Sequence, residues 1–159
     1  MIDSSEKNIF AAQNNLANTY RCLGRLDEVL RVRQEVYSGR LKLLGEEHGQ
    51  TISAANNYAI SLLELNRRKE AKALLRETTP VARRAFGDDN HITIKLRFNY
   101  ARTLYRDPSA TLDDLREAVN TLEETARTAR RVFGGAHPIA ETIKNQLREA
   151  RAALAARET

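Results

Sequence analysis

The sequence predicts an all-α protein of three stacked helical hairpins closed by one C-terminal helix, and three observations carry that expectation. A short block, Asn-Leu/Tyr-Ala, is written three times, at Asn15-Leu16-Ala17, Asn57-Tyr58-Ala59 and Asn99-Tyr100-Ala101, with 42 residues from each copy to the next. A fixed period of that size marks a repeat architecture in which each unit stacks on its neighbour. Gly and Pro number only 7 and 3, while Ala, Leu, Arg and Glu dominate, which is the composition of nearly continuous helix. No segment alternates apolar and polar residues between turn signals, as a half-buried strand would.

The first helix follows Asp3, Ser4 and Ser5, which are good N-cap residues, and carries Phe10, Leu16, Ala17, Tyr20 and Leu23 at helical spacing. Gly24 supplies a stop, and a second helix from about Leu26 turns Val29, Leu30, Val32, Val36, Leu41 and Leu44 inward before Gly45. Gly39 lies inside it and weakens it by about 1 kcal/mol relative to Ala. After Gly45-Glu46-Glu47-His48-Gly49-Gln50, the third helix buries Ile52, Ala55, Tyr58, Ala59, Leu62 and Leu65. Asn66 then takes the place of Gly24, since Asn also tolerates a left-handed cap. The fourth helix, about Arg68 to Phe86, contains Pro80, which predicts a kink or a break near Arg76 to Thr79. The fifth buries Ile94, Phe98, Ala101 and Leu104 and closes at Asp107-Pro108. The sixth begins at Thr111, whose Thr-Leu-Asp-Asp run is a capping signal. Gly45 and Gly87 are 42 residues apart but Gly87 and Gly134 are 47 apart, so five residues are inserted after Ala101, with Asp107 to Ala110 as the expected longer turn. A last helix carries Ile143, Leu147, Ala150 and Leu154 on one side with no partner to follow it. The chain reads as one domain, 1–159, with repeats over about 7–45, 50–87 and 92–134 and a terminal helix over about 138–157.

Composition bounds the function. A formal charge of +5, drawn mainly from arginine, favours acidic partners. No apolar run is long enough to span a membrane, and Met1 to Phe10 lacks the apolar core of a secretory signal, so a cytoplasmic location is expected. Cys22 is the single cysteine and reads as a packing residue or free thiol. His48, His91 and His137 recur once per unit, too far apart for one metal ion, and read as loop residues bonding nearby helix ends, so no metal or other cofactor is expected. No nucleophile-base pair, phosphate-cradling loop or paired-carboxylate arrangement appears, and no catalytic residues are expected.

The three linkers, Leu44-Gly45-Glu46-Glu47-His48, Phe86-Gly87-Asp88-Asp89-Asn90-His91 and Phe133-Gly134-Gly135-Ala136-His137-Pro138, resemble those of the 42-residue tetratricopeptide repeats of kinesin light chains. So do the Asn-(Leu/Tyr)-Ala blocks and the pairs Glu28-Val29, Glu70-Ala71 and Glu117-Ala118 that start the second helices. The resemblance covers about residues 8 to 157 and departs in places: His-Pro stands only at His137-Pro138, and the second loop reads as one residue longer. Gln13, Ala55 and Arg97 replace the large aromatic that many such repeats place early in the first helix. The resemblance implies a right-handed superhelix whose first helices line a concave, peptide-binding surface, with Leu16, Tyr58 and Tyr100 filling the space between helices.

It further implies that Asn15, Asn57 and Asn99 point into that groove, where a carboxamide can bracket a peptide unit with one donor and one acceptor. Helical steps from this ladder place Asn18, Ile60 and Arg102 three residues later, Ala11, Ser53 and Lys95 four before, and Cys22, Glu64 and Arg106 seven later on the same face. Lys95, Arg102 and Arg106 therefore gather around Asn99, and the reading is an adaptor that holds a protein or peptide segment of acidic character. Two alternatives stand beside it. One is a structural subunit that self-associates through exposed Ile143, Leu147 and Leu154 of the last helix. The other is nucleic-acid binding through Arg83, Arg84, Arg127, Arg130, Arg131, Arg148 and Arg151, against which the lack of interleaved aromatics weighs.

Overall fold

The structure, a computed structural model, describes residues 3–159 and folds them into seven helices: α1 (Ser4–Cys22), α2 (Leu26–Leu44), α3 (Gly49–Glu64), α4 (Arg68–Phe86), α5 (His91–Tyr105), α6 (Leu112–Phe133) and α7 (Pro138–Glu158). There is no strand among the described residues. The helices group into two compact units, one up to Leu74 and one from Leu75.

In the first unit α1 packs on α2 and α2 on α3. Phe10, Ala17, Val29, Val32, Val36 and Ala54 form one core cluster, and Leu30, Leu62 and Ala71 another, against which Tyr58 and Leu65 pack. Both predicted stops are left-handed caps. Gly24 has φ 70° and Asn66 φ 60°. In the first, Arg25 N–H donates to the Tyr20 carbonyl at 2.9 Å, and in the second Arg67 N–H donates to that of Leu62 at 2.8 Å. The same six-to-one bond thus closes both turns, and Asn replaces Gly because it is the L-residue least strained there. Gly39 has a packing reason: a Cβ on it would stand 3.0 Å from Phe10 Cε1 and 3.2 Å from Cζ, so the ring lies against bare backbone. Leu16 departs from expectation. It is 42% exposed and fills no space between helices, because α1 packs on α2 through the side that carries Phe10 and Ala17 and Leu16 lies off that side.

In the second unit α5 packs on α6, α6 on α7, and α7 also touches α5. Pro80 does not break α4, which runs through it. Thr79 turns its hydroxyl onto the Leu75 carbonyl at 2.6 Å, one residue before the carbonyl that proline leaves without a helical donor. Thr111 caps α6 with a complete capping box, donating from its backbone to Asp114 and accepting from the Asp114 N–H at 3.1 Å. The inserted residues divide between turn and helix. Val29, Ala71 and Ala118 are all 0% exposed, so they mark the same packing position, and α6 starts three residues further ahead of its copy than α2 and α4 do. The turn takes the other two and one more residue from α5, which ends at Tyr105, one short of the position that matches Glu64 of α3. It is built around Asp107, whose carboxylate accepts from Ser109 N–H at 2.9 Å.

Two further expectations change. Ile143 is 0% and Leu147 9% exposed, because α7 lays its apolar side on α5 and α6, so the predicted exposed stripe for self-association is core. The second loop also carries no extra residue. Asn90 occupies the capping position, accepting from Ile92 N–H at 2.8 Å, and His91 follows as the first residue of α5, exposed. His48 and His137 do cap α3 and α7, each accepting through Nδ1 from an N–H two residues on, at 3.2 Å.

Candidate functional site

In the second unit, α5 carries Lys95, Asn99 and Arg102 at helical steps of four and three. Lys95 is exposed, Arg102 half-buried and Asn99 only 3% exposed. Arg102 Nη1 donates to Asn99 Oδ1 at 3.1 Å, and its guanidinium sits 5.6 Å from the Phe98 ring centroid, so the fork is held from two sides. Arg106, just beyond the helix, belongs to a different set of contacts. Its Nη2 meets Glu149 Oε2 of α7 at 3.1 Å, and its Nε donates to the Tyr105 hydroxyl at 3.1 Å. That hydroxyl lies within hydrogen-bonding reach of Gln146 Oε1 and, at 3.0 Å, of Glu149 Oε2. The Tyr105 hydroxyl and then Arg106 hold the Glu149 carboxyl below its ordinary range, and burial pushes the Tyr105 phenol up to about 12. The structure therefore brings Lys95, Asn99 and Arg102 together and ties Arg106 to α7.

The corresponding face of the first unit is close to neutral. Asn15 and Asn18 are exposed on α1, and Asn57 is half-buried on α3. The backbone at Asn57 is anchored by Arg33 of α2, whose Nη1 donates to the Asn57 carbonyl at 3.1 Å and to Ser61 Oγ at 2.9 Å. Burial pulls the Arg33 pKa down. At the end of the same face Glu64 is bound by Arg21 at 2.6 Å.

Sequence reading missed Arg33, because a lone arginine at an apolar phase of α2 gives no sign of the carbonyl it reaches on α3. It also missed Gln146 and Glu149. These stand where Asn99 and Arg102 do once the 47-residue step between Gly87 and Gly134 is applied, which makes α7 the first helix of a further repeat. Arg97, at the position where the resemblance expects an aromatic, is 7% exposed at its side chain and bound to Glu124 of α6 at 2.5 Å. Of the arginines considered for nucleic acid, Arg83 pairs with Asp88, Arg131 with Asp89 and Arg151 with Glu123, all within 2.8 Å. Two open cavities lie in this unit. One of about 430 Å³ is lined by Arg76, Pro80, Arg84, Tyr100 and Glu117, the other of about 420 Å³ by Arg127, Arg130, Ala140 and Lys144. No helix is long and apolar enough to cross a membrane among the described residues.

The family profile described as Tetratricopeptide repeat matches residues 8–84, the span of α1 to α4. Residues 8–84 of the chain carry tetratricopeptide repeats. Solved tetratricopeptide structures agree with it over nearly its whole length. A Podosopora anserina protein assigned as a kinesin light chain with nearly identical repeats superposes with a TM-score of 0.79 at 20% identity, covering 90% of this chain and 65% of its own. A substituted form of that protein gives 0.83 at 18%, covering 96% and 69%. BtubC (BKLC) from P. vanneervenii gives 0.59 at 16%, covering 91% and 60%. At such identities the likeness establishes the tetratricopeptide repeat fold, and this chain spans about two thirds of those chains or less. No curated protein matches the sequence.

Proposed function

We propose that this tetratricopeptide repeat chain is a non-catalytic binding scaffold, and that the α5 face of Lys95, Asn99 and Arg102 holds an acidic segment of a partner protein, without Arg106, which is engaged by Glu149. The observation that carries the reading is the Asn99–Arg102 pair beside Lys95: a guanidinium fixed by a carboxamide and a phenyl ring is pre-ordered for a carboxylate, with a mobile ammonium one turn away. Tetratricopeptide repeats in general serve protein-protein interaction, and the net charge of +5 draws acidic partners to the surface. In the first unit, Asn15, Asn18 and Asn57 supply uncharged carboxamides that suit a peptide backbone.

Arrays of acidic, neutral and basic ten-residue peptides test the proposal directly. Acidic peptides are expected to be retained, with affinity falling as salt rises. The double substitution Lys95→Glu with Arg102→Glu is expected to abolish that retention while leaving the helical circular dichroism signal unchanged. Equal retention of all three classes, or acidic binding that survives the double substitution, overturns the reading. A companion variant, Asn57→Ala, reports on the first unit alone, where it is expected to weaken binding without changing charge preference.

A further inference from the structure

The loop that leads into α7 matches the loop that leads into α5 in backbone and differs from it in charge. Gly87 and Gly134 have φ 80° and 88°, and each donates its N–H at 2.9 Å to an arginine carbonyl four residues back, that of Arg83 in the one loop and Arg130 in the other. Three residues after each glycine, Asn90 and His137 cap α5 and α7 in the same way. Residues 47 apart across the two loops therefore occupy matching places.

In the earlier loop two cations share one carboxylate. Asp88 Oδ1 lies 2.7 Å from Arg83 Nε and 3.7 Å from Arg97 Nη1. The residues that match Arg83 and Arg97 are Arg130 and Lys144, but the residue that matches Asp88 is Gly135. Both cations are kept and the carboxylate between them is gone. The arginine keeps its aim as well, since a Cβ on Gly135 would stand 3.7 Å from Arg130 Nε. In the carboxylate's place lies the cavity of about 420 Å³, lined by Arg127, Arg130, Gly135, Ala140, Glu141 and Lys144. Neither Arg127 nor Arg130 has an ion-pair partner among the described residues. Glu141, 4.0 Å from Lys144, is the single acid of that lining. Three cations against one carboxylate leave a surplus of two positive charges, which an entering anion would neutralise.

We propose that the cavity between α6 and α7 binds a phosphate monoester, with Arg130 and Lys144 meeting its oxygens as Arg83 and Arg97 meet Asp88, and Arg127 supplying a third donor. Charge selects this group over a carboxylate. A phosphate monoester carries about −1.5 to −2 at pH 7 and three acceptor oxygens, which match the surplus charge and the three cationic side chains, whereas one carboxylate leaves a cation unmet. The volume falls within the range of small-ligand sites, about 300–1,000 Å³, so it admits the phosphate and the atoms that carry it. Two sources present this chemistry, a phosphorylated side chain of a partner protein and a free phosphate compound. The site lies on α6 and α7 and does not depend on the α5 face.

Amide chemical shifts of Gly134 to Glu141 and of Arg127 to Arg131 give a readout confined to this cavity. The full chain is titrated with inorganic phosphate, with a short phosphoserine peptide, and with the same peptide carrying Glu in place of phosphoserine. Saturable shifts with phosphate or the phosphoserine peptide are expected below about 10 mM, and at least about tenfold weaker binding of the Glu peptide. Tighter binding of the phosphoserine peptide than of phosphate assigns the site to a partner's side chain, and equal binding assigns it to the free group. Gly135→Asp restores the carboxylate of the preceding loop at a position that is not left-handed and has room for a Cβ. It is expected to weaken phosphate binding at least about tenfold without lowering the melting midpoint. Arg148→Ala, exposed elsewhere on α7, lowers the net charge by the same one unit and is expected to leave binding unchanged. The proposal is overturned if these amides do not shift, if Gly135→Asp binds as the parent does, if Arg148→Ala weakens binding equally, or if the Glu peptide binds as tightly as the phosphoserine one.

Discussion

Gly39 is the residue where local preference and packing disagree most clearly. Replacing it with Ala gains about 1 kcal/mol of helix propensity, but the added carbon meets the Phe10 ring at 3.0 Å, and overfilling a packed site costs about 1–3 kcal/mol. Gly39→Ala is therefore expected to lower stability by about 1 kcal/mol in denaturant titration, and to become neutral or stabilising when combined with Phe10→Leu, which removes the ring. At Asn66 the conformation decides. With φ 60°, Asn66→Gly is expected to leave the denaturation midpoint unchanged or raise it, whereas Asn66→Ala is expected to cost about 1 kcal/mol. An Ala variant as stable as the parent would remove the left-handed cap as the reason for asparagine there.

Two elements in the second unit are held by polar contacts that can be removed singly. Thr111→Ala deletes the side-chain half of the α6 capping box and is expected to cost about 1 kcal/mol, with faster amide exchange confined to the first turn of α6. The link from α5 to α7 through Tyr105, Arg106 and Glu149 should respond to pH at both ends of the scale. Because the Glu149 carboxyl is held below its ordinary value in the folded protein, its contribution is present above the unfolded carboxylate value and is lost as pH falls through the lower folded one. Burial raises the Tyr105 phenol to about 12, so its contribution is present below the ordinary phenol value and disappears as pH rises through about 12. Amide exchange along α7 is the measurement: protection is expected to fall at the acid end in the parent and to lose that acid dependence in Glu149→Gln. A Glu149→Gln profile identical to the parent's would show that the carboxylate does not fasten α7.

At the scale of the molecule, repeats pack chiefly on their neighbours, so damage should stay local. Ile143 is wholly buried where α7 meets its neighbours in the second unit, and Ile143→Asp places an unpaired charge there, a change expected to cost several kcal/mol. Exchange protection is expected to collapse in α6 and α7 while the amides of α1 and α2 keep theirs. Simultaneous loss across all helices would mean that the two units unfold as one cooperative body.

The sequence by itself determined the repeat, the helix count, the left-handed stops at Gly24 and Asn66 and the cap at Thr111, because each rests on periodicity or on chemistry within a few residues of the chain. It also placed Lys95, Asn99 and Arg102 on one helical face, since that needs only the rise and twist of a single helix. Only the tertiary structure decided what each face meets. Leu16 looked like core and is exposed, Ile143 and Leu147 looked exposed and are core, and Arg106 belongs to α7. The periodicity of one helix shows that it has an apolar side but not whether another helix covers it. For α1 and α7, the first and last helices of the chain, that depended on the packing of neighbours in space.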